Sequence, residues 1–272
     1  VIDAGVKPHF TYVNCTHNVF RALNERHKPY VHADMQDLHD AWRLPRDRSD
    51  YEHLLNDYFH RLHMLTGVKA GNMWRAVEEI ISMVGPLVPW DTETVIEDRP
   101  KLKAKYINVK YRVVERRDSR ISCFIKNERM SGLEKPPRLI QARGVRFNLE
   151  LQRYLRPFEH LFEDRDVRVT NKGLNADQLY DLLMKDFDGY KDYHLLDHSA
   201  FDSSVGLYLL TLEHYIYLRC YSFDKTLLSL LQAQYVNKVS YKGLIRWTVR
   251  GTRMSGDANT ATGNSVVNLW YL

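Results

Sequence analysis

The spacing of apolar residues changes character along this chain, and that change limits the fold to one class. Over roughly the first hundred residues apolar side chains recur at helical intervals. Leu54, Leu55, Tyr58, Phe59 and Leu62 mark one helix, headed by Ser49 or Asp50 and closed by Gly67; Trp74, Val77, Ile80, Ile81 and Val84 mark another, closed by Gly85 and Pro86. Residues 120–126 then alternate, with Ile121, Cys123 and Ile125 on one face of a strand, and 138–141 predict a second strand. Helical spacing returns over 147–162, where Pro157 predicts a bend or break, after Asn175 as a cap, and over 203–221 and 225–236. A short strand is expected at 193–197, a hairpin at 241–250 turning at Gly243, a loop at 251–257 and a last helix from Ala258. Helices, then strands, then helices, without regular βαβ alternation, define an α+β fold.

At 272 residues, a length of about two domains, with 44% hydrophobic and 12% aromatic content, the chain can bury a real core and is not a disordered polymer. No apolar run reaches the ~18 residues of a membrane span. Cys15, Cys123 and Cys220 lie far apart with no Cys-x-x-Cys pair, which favours a reducing compartment over a disulfide framework. The first ten residues carry Asp3 and Lys7 and lack the apolar core of a signal peptide. The chain opens on Val1, and its last helical stretch has no capping Gly, Pro or closing cation, so a piece of something longer is expected. The net charge of +5 is mild but uneven: between Lys135 and Arg156 stand Arg138, Arg143, Arg146 and Arg153, against the single acid Glu150.

Three constellations carry chemistry. Asp197, at the end of the predicted strand, and Asp202, five positions on at a helix start, form an Asp-x4-Asp pair, and a carboxylate at a strand end is a natural ligand for a hard cation. Alone, Asp202 reads as an ordinary helix N-cap. Next, a Gly-rich loop over 251–257 containing Ser255 and Gly256 runs into a helix on which Thr260, Asn264 and Asn268 form one polar stripe, a geometry suited to a phosphate or a template strand. A polar stripe in a helix that also carries Val266, Val267 and Leu269 needs a purpose, because an unpartnered buried amide costs about 1–3 kcal/mol. Third, Lys126, Arg138, Arg143 and Arg146 place cations at intervals along strands, and Arg pairs bidentately with phosphate oxygens.

In chain order these words resemble the viral RNA-dependent RNA polymerases, most closely the tombusvirus-like group. Residues 124–128 (Phe-Ile-Lys-Asn-Glu) and 137–143 are similar to motif F, which lines the nucleotide entry channel, and 147–157 to the helix that follows it. Asp197-x4-Asp202 resembles motif A, and 253–264 resembles motif B. The resemblance implies a right-hand polymerase with the thumb absent. Residues 1–170 would be fingers; 171–272 would be a partial palm with an inserted helical fingers segment, ending inside the motif B helix. It implies template-directed RNA synthesis from ribonucleoside triphosphates in viral genome replication, with an RNA template and a nascent RNA as partners, by a two-metal mechanism. Asp197 would bind the catalytic Mg²⁺ (or Mn²⁺) ions. Asp202 and Asn264 would hold the ribose 2′-OH, supported by Ser255, Gly256 and Thr260. Lys126 and Arg138, with Arg143 and Arg146, would bind the triphosphate. The motif C turn Gly-Asp-Asp, which supplies the carboxylate for the second ion, does not occur. The chain alone is therefore expected to be inactive, without the C-terminal palm and thumb of a parent polymerase. The resemblance also implies host cytoplasm, at membrane-associated replication sites reached through parts outside this chain. The competing reading is a non-catalytic RNA-binding module built on the basic run 135–156 with Phe147, Tyr154 and Phe158 interleaved; it gives no reason for the Asp197/Asp202 pair.

Overall fold

The computed structural model describes residues 10–11, 16–25, 29–130, 136–163, 169–192, 198 and 200–272. The chain is mostly helical, with twelve α-helices in the described residues: α1 (Thr16–Glu25), α2 (Gln36–Ala41), α3 (Arg48–Thr66), α4 (Ala70–Val84), α5 (Thr92–Asp98), α6 (Lys103–Ile107), α7 (Val145–Glu163), α8 (Ala176–Phe187), α9 (Phe201–Ser204), α10 (Leu207–Cys220), α11 (Lys225–Gln232) and α12 (Thr260–Tyr271). Strands β1 (Phe10–Thr11) and β3 (Arg129–Met130) pair as a short antiparallel ribbon. Strands β2 (Ile121–Ile125), β4 (Leu139–Ala142), β5 (Val236–Tyr241) and β6 (Ile245–Arg250) form one mixed sheet in the order β4-β2-β5-β6, with β2 and β5 parallel and the other pairs antiparallel. This is the α+β class expected from the apolar spacing.

The centre of the molecule is α10. Its sequence is apolar almost all round, so it is buried on every side, as a helix without a polar face must be. Helices α3, α4, α7, α11 and α12 pack about it, and Tyr51, Phe59, Phe158, Tyr217 and Val266 are among the side chains of this core. A smaller core of Ile121, Cys123, Ile125, Val239 and Met254 lies against the sheet.

Several local expectations need correction. Helix α3 starts at Arg48 because the Asp47 carboxylate, not Ser49 or Asp50, accepts the Asp50 N–H at the first turn. The helix expected over 203–221 is two, α9 and α10, separated at Val205 and Gly206. The helix expected to reach residue 236 stops at Gln232, and the hairpin is longer than expected because β5 starts at Val236. Pro157 does not break α7, which continues through it to Glu163. The helical bond it cannot make would fall on the Arg153 carbonyl, and that carbonyl instead accepts the Trp90 N–H at 2.8 Å. The strand expected at 193–197, Cys15 and Lys135 lie outside the described residues.

Burial gives α10 a titratable weak point. His214 is fully buried, and its Nε2 lies 3.0 Å from Gln234 Oε1. Burial, then the nearby Arg253 charge, lowers its pKa to about 3. The folded protein thus excludes a proton that the unfolded chain takes up below its ordinary value of 6.5. Stability from this group is complete above that value and is lost as pH falls toward the folded value, by up to ~1.4 kcal/mol per pH unit. Urea unfolding is expected to show a stability falling between pH 7.5 and pH 5, with part of that fall absent in a His214→Gln variant. An equal pH dependence in the variant would refute the assignment.

Candidate nucleotide site

A cavity of about 520 Å³ opens between β4, the turn after β2, the start of α9 and the 251–257 loop, and its walls include Lys126, Arg138, Asp202, Arg253 and Ser255. That volume is in the range of small-molecule sites. Residues far apart in sequence meet here because β2 and β4 are adjacent antiparallel strands and the loop is stitched to the free edge of β4. Ser255 Oγ donates to the Leu139 carbonyl at 3.0 Å, the Gly256 N–H donates to the Gln141 carbonyl at 2.9 Å, and the Ser255 N–H reaches Gln141 Oε1 at 3.3 Å. A Cβ at position 256 would stand 2.7 Å from the Gln141 carbonyl oxygen and 3.0 Å from Ala142 Cα, so only glycine allows this approach. Thr260 Oγ1 lies 2.9 Å from the carbonyls of Met254 and Asp257 and closes the loop onto α12. The hydrogen bonds of Ser255 and Thr260 thus fix the shape of the loop, and none of these bonds goes to Asp202.

Asp202 and Asn264, 62 positions apart, are hydrogen-bonded: Asn264 Nδ2 donates to Asp202 Oδ1 at 3.2 Å. The amide's orientation is determined. Arg253 can only donate, and its Nε donates to Asn264 Oδ1 at 3.0 Å, so the NH₂ must face Asp202. Arg253 is fixed in turn by an ion pair with Glu213 of α10, 2.5 Å long, with both side chains almost fully buried. Glu213 also accepts from Asn259 Nδ2 at 2.7 Å. The Asp202 backbone carbonyl accepts the Arg253 N–H at 2.9 Å, which ties α9 to the loop. Among the described residues, the second Asp202 carboxylate oxygen and the second Asn264 amide hydrogen are not used in these two bonds.

On the opposite wall Glu128 engages both cations: Lys126 Nζ lies 3.0 Å away, and Arg138 forms a bidentate pair with it. Hydrogen bonds from Arg138 first, then Lys126, pull the Glu128 pKa down to about 2. Both cations line the cavity and keep substantial solvent exposure despite the pairing.

Arg143 and Arg146, expected beside them, point elsewhere. Arg143 is fully buried, pairs with Asp257 at 2.7 Å and also donates to the carbonyls of Ser119 and Ala233. Arg146 pairs with Glu150 one turn along α7 at 2.8 Å and reaches the Arg112 carbonyl. A guanidinium beside a buried carboxylate is held there, because either charge left alone would be costly. Arg143 thus positions the loop from beneath. Asp197 lies outside the described residues, and among the described residues no group of three His, Cys, Asp or Glu side chains gathers as a metal site. The Glu213–Arg253 pair was not singled out in the sequence, although a Glu and a His inside the apolar run of α10 signal a buried counter-charge.

The geometry alone defines a cavity walled by two cations and a carboxylate in an α+β chain, with no particular activity attached. The comparison with known proteins is narrower. The profile of the viral RNA-dependent RNA polymerase family matches residues 75–271, and the chain belongs to that family. It is 38% identical over 167 residues to the RNA-directed RNA polymerase of Melon necrotic spot virus, covering 57% of this chain and 21% of that protein. It is 34% identical over 169 residues to that of Carnation mottle virus, covering 57% of this chain and 22% of that protein. It is 30% identical over 220 residues to that of Maize chlorotic mottle virus, covering 73% and 23%. The chain thus spans between a fifth and a quarter of the length of these plant-virus relatives. No helix among the described residues is long and apolar enough to cross a membrane.

Proposed function

We propose that this chain supplies the nucleotide-entry and ribose-reading part of a viral RNA polymerase, residues 1–170 as fingers and 171–272 as part of the palm. The observation that carries the reading is the meeting of Lys126, Arg138, Asp202 and Ser255 in one cavity, with Asn264 bonded to Asp202 behind it. In this reading the 3′ oxygen of a growing RNA bonds to the α-phosphorus of a ribonucleoside triphosphate, and the bond to the β-phosphate oxygen breaks to release pyrophosphate. Lys126 and Arg138 take the triphosphate, which displaces Glu128 from them. Asp202 accepts a hydrogen bond from the ribose 2′-OH and Asn264 donates one to it. Ser255, Gly256 and Thr260 hold the loop that sets the cavity wall, and Arg143 holds that loop from below. Asp197 would hold the divalent ion, which when bound stabilises charge on the reacting oxygens. A pure RNA-binding module offers no use for the Asp202–Asn264 pair. Replication at host membranes, through parts of the polymerase outside this chain, belongs to the same reading.

The test is Arg138→Ala in the polymerase that carries this segment. Losing one charge-assisted contact at a half-exposed site is expected to raise KM for nucleotide about tenfold. The kcat should change less, and the KM difference should shrink as salt rises. An unchanged KM at low salt would take the triphosphate away from Arg138.

A further inference from the structure

Residues 101–120 carry eight Lys and Arg against two acids, Glu115 and Asp118, a denser excess of positive charge than the run 135–156. Both acids are engaged, Asp118 by Arg112 and Glu115 by Arg117. Lys110 is held by Glu93 of α5. The other five cations, Lys101, Lys103, Lys105, Arg116 and Arg120, are exposed and make no ion pair among the described residues; the nearest helix, α5, adds one further exposed acid, Glu97. The segment that carries them is anchored along a single short stretch of chain. Tyr106 packs with Leu149, the Arg112 carbonyl accepts from Arg146, and the Asp118 carbonyl accepts the Gly144 N–H. Residues 144–149 span only about 8 Å of helix axis, so the two ends of the basic segment are tied down close to one another. Between them Tyr111 is 88% exposed, with Lys110 Nζ 4.7 Å from its ring centroid. A tyrosine so exposed buries nothing for the fold.

We infer that this belt is a binding surface for single-stranded RNA, distinct from the nucleotide cavity. Exposed cations that track a phosphate backbone, with an aromatic ring on which a base stacks, are what sequence-independent single-strand binding requires. The placement fits: Arg120 leads directly into β2, and Lys126 at its far end lines the cavity, about 20 Å further along an extended chain. Arg143 joins the two sites physically, donating to the Ser119 carbonyl at the end of the belt while pairing with Asp257 of the cavity loop. An anionic membrane is the less suitable partner, since α6 is a five-residue helix and offers no long amphipathic face to lie in an interface. The inference deepens the polymerase reading and rests on it for the direction of the RNA, but not for the binding itself.

The test is titration of a fluorescent, unstructured RNA of about 12 nucleotides with the 272-residue chain, at salt from roughly 50 to 200 mM. Five phosphate contacts alone weaken binding about a hundredfold across that range. Replacing Lys101, Lys103, Lys105, Arg116 and Arg120 together by Gln is expected to reduce the slope of log affinity against log salt by up to ~3.5, with the melting temperature unchanged. A variant with the three lysines replaced by Arg should bind like the parent. Tyr111→Ala should weaken binding about 5- to 150-fold at every salt concentration. Unaltered RNA affinity and slope in the Gln variant would overturn the inference. So would belt-dependent binding to phosphatidylserine-containing vesicles without RNA binding. Binding of a labelled ribonucleoside triphosphate separates the two readings: it should depend on Arg138 and not on the belt. Loss of the Arg138 dependence alone would strike the nucleotide site and leave the belt standing.

Discussion

Glu213→Ala is expected to destabilise the chain by about 3–5 kcal/mol, enough to unfold a domain of ordinary stability. Glu213 and Arg253 are 2.5 Å apart and almost wholly buried, so removing the acid leaves a buried guanidinium without the carboxylate it pairs with. The space around the pair is also closed. A Cβ on Gly263 of α12 would overlap the Glu213 carboxylate, which means α12 rests directly on the ion pair. The pair is not required for stability as such. A double replacement, Glu213→Leu with Arg253→Met, removes both charges at similar volume, and such exchanges are often neutral or stabilising. Asn259 keeps a partner there, because it also exchanges hydrogen bonds with Gln234. The double variant should therefore recover most of the urea midpoint lost by Glu213→Ala. It should not recover ribose reading, since without Arg253 nothing fixes the Asn264 oxygen. A single variant within ~1 kcal/mol of the parent would show that water reaches Arg253, and that the pair is not the anchor of this site.

What the sequence made legible here is mostly what short segments encode. Gly67 and Gly85 end their helices, Asn175 caps α8, and alternation over 121–125 gives β2. The motif words also put Lys126, Arg138 and Asp202 into one cavity, because each sits at the end of a strand or the start of a helix whose pairing is short-range or fixed by the sheet. What was not legible depends on partners a hundred residues away. Arg143 stands in a basic run like Arg138 and, read locally, has the same purpose. Its carboxylate is Asp257, and only the closure of the loop onto β4 brings that acid beneath it. The same holds for Arg253, which reads as one polar residue in a flexible loop and is in fact one of the most buried side chains in the molecule. The partner of Arg146 is legible locally, since Glu150 lies one helical turn away on the same face.

Asn264→Ala, in the polymerase that carries this segment, is expected to reduce the preference for ribonucleotides over deoxyribonucleotides by about tenfold or more, measured as the ratio of kcat/KM values. A site built to bond a sugar hydroxyl rejects the analogue lacking it because its own polar groups are then left unpaired, and a fully enclosed site can reach ~10⁴–10⁵. This site is only half-enclosed, since Asp202 borders the open cavity. A hydrogen bond to its carboxylate is therefore worth about 1.5–3 kcal/mol, or roughly 10- to 150-fold. In the proposed reading Asn264 would contribute to that preference in two ways, by donating to the hydroxyl and by holding Asp202 in place through its 3.2 Å bond. Asp202→Ala should cost the full factor. The double variant should cost no more than Asp202→Ala alone, because the two residues act as one unit and their effects do not add. Additive losses would mean that the pair reads two different groups. An unchanged ratio in Asn264→Ala would leave Asp202 as a helix-start carboxylate that happens to face a cavity.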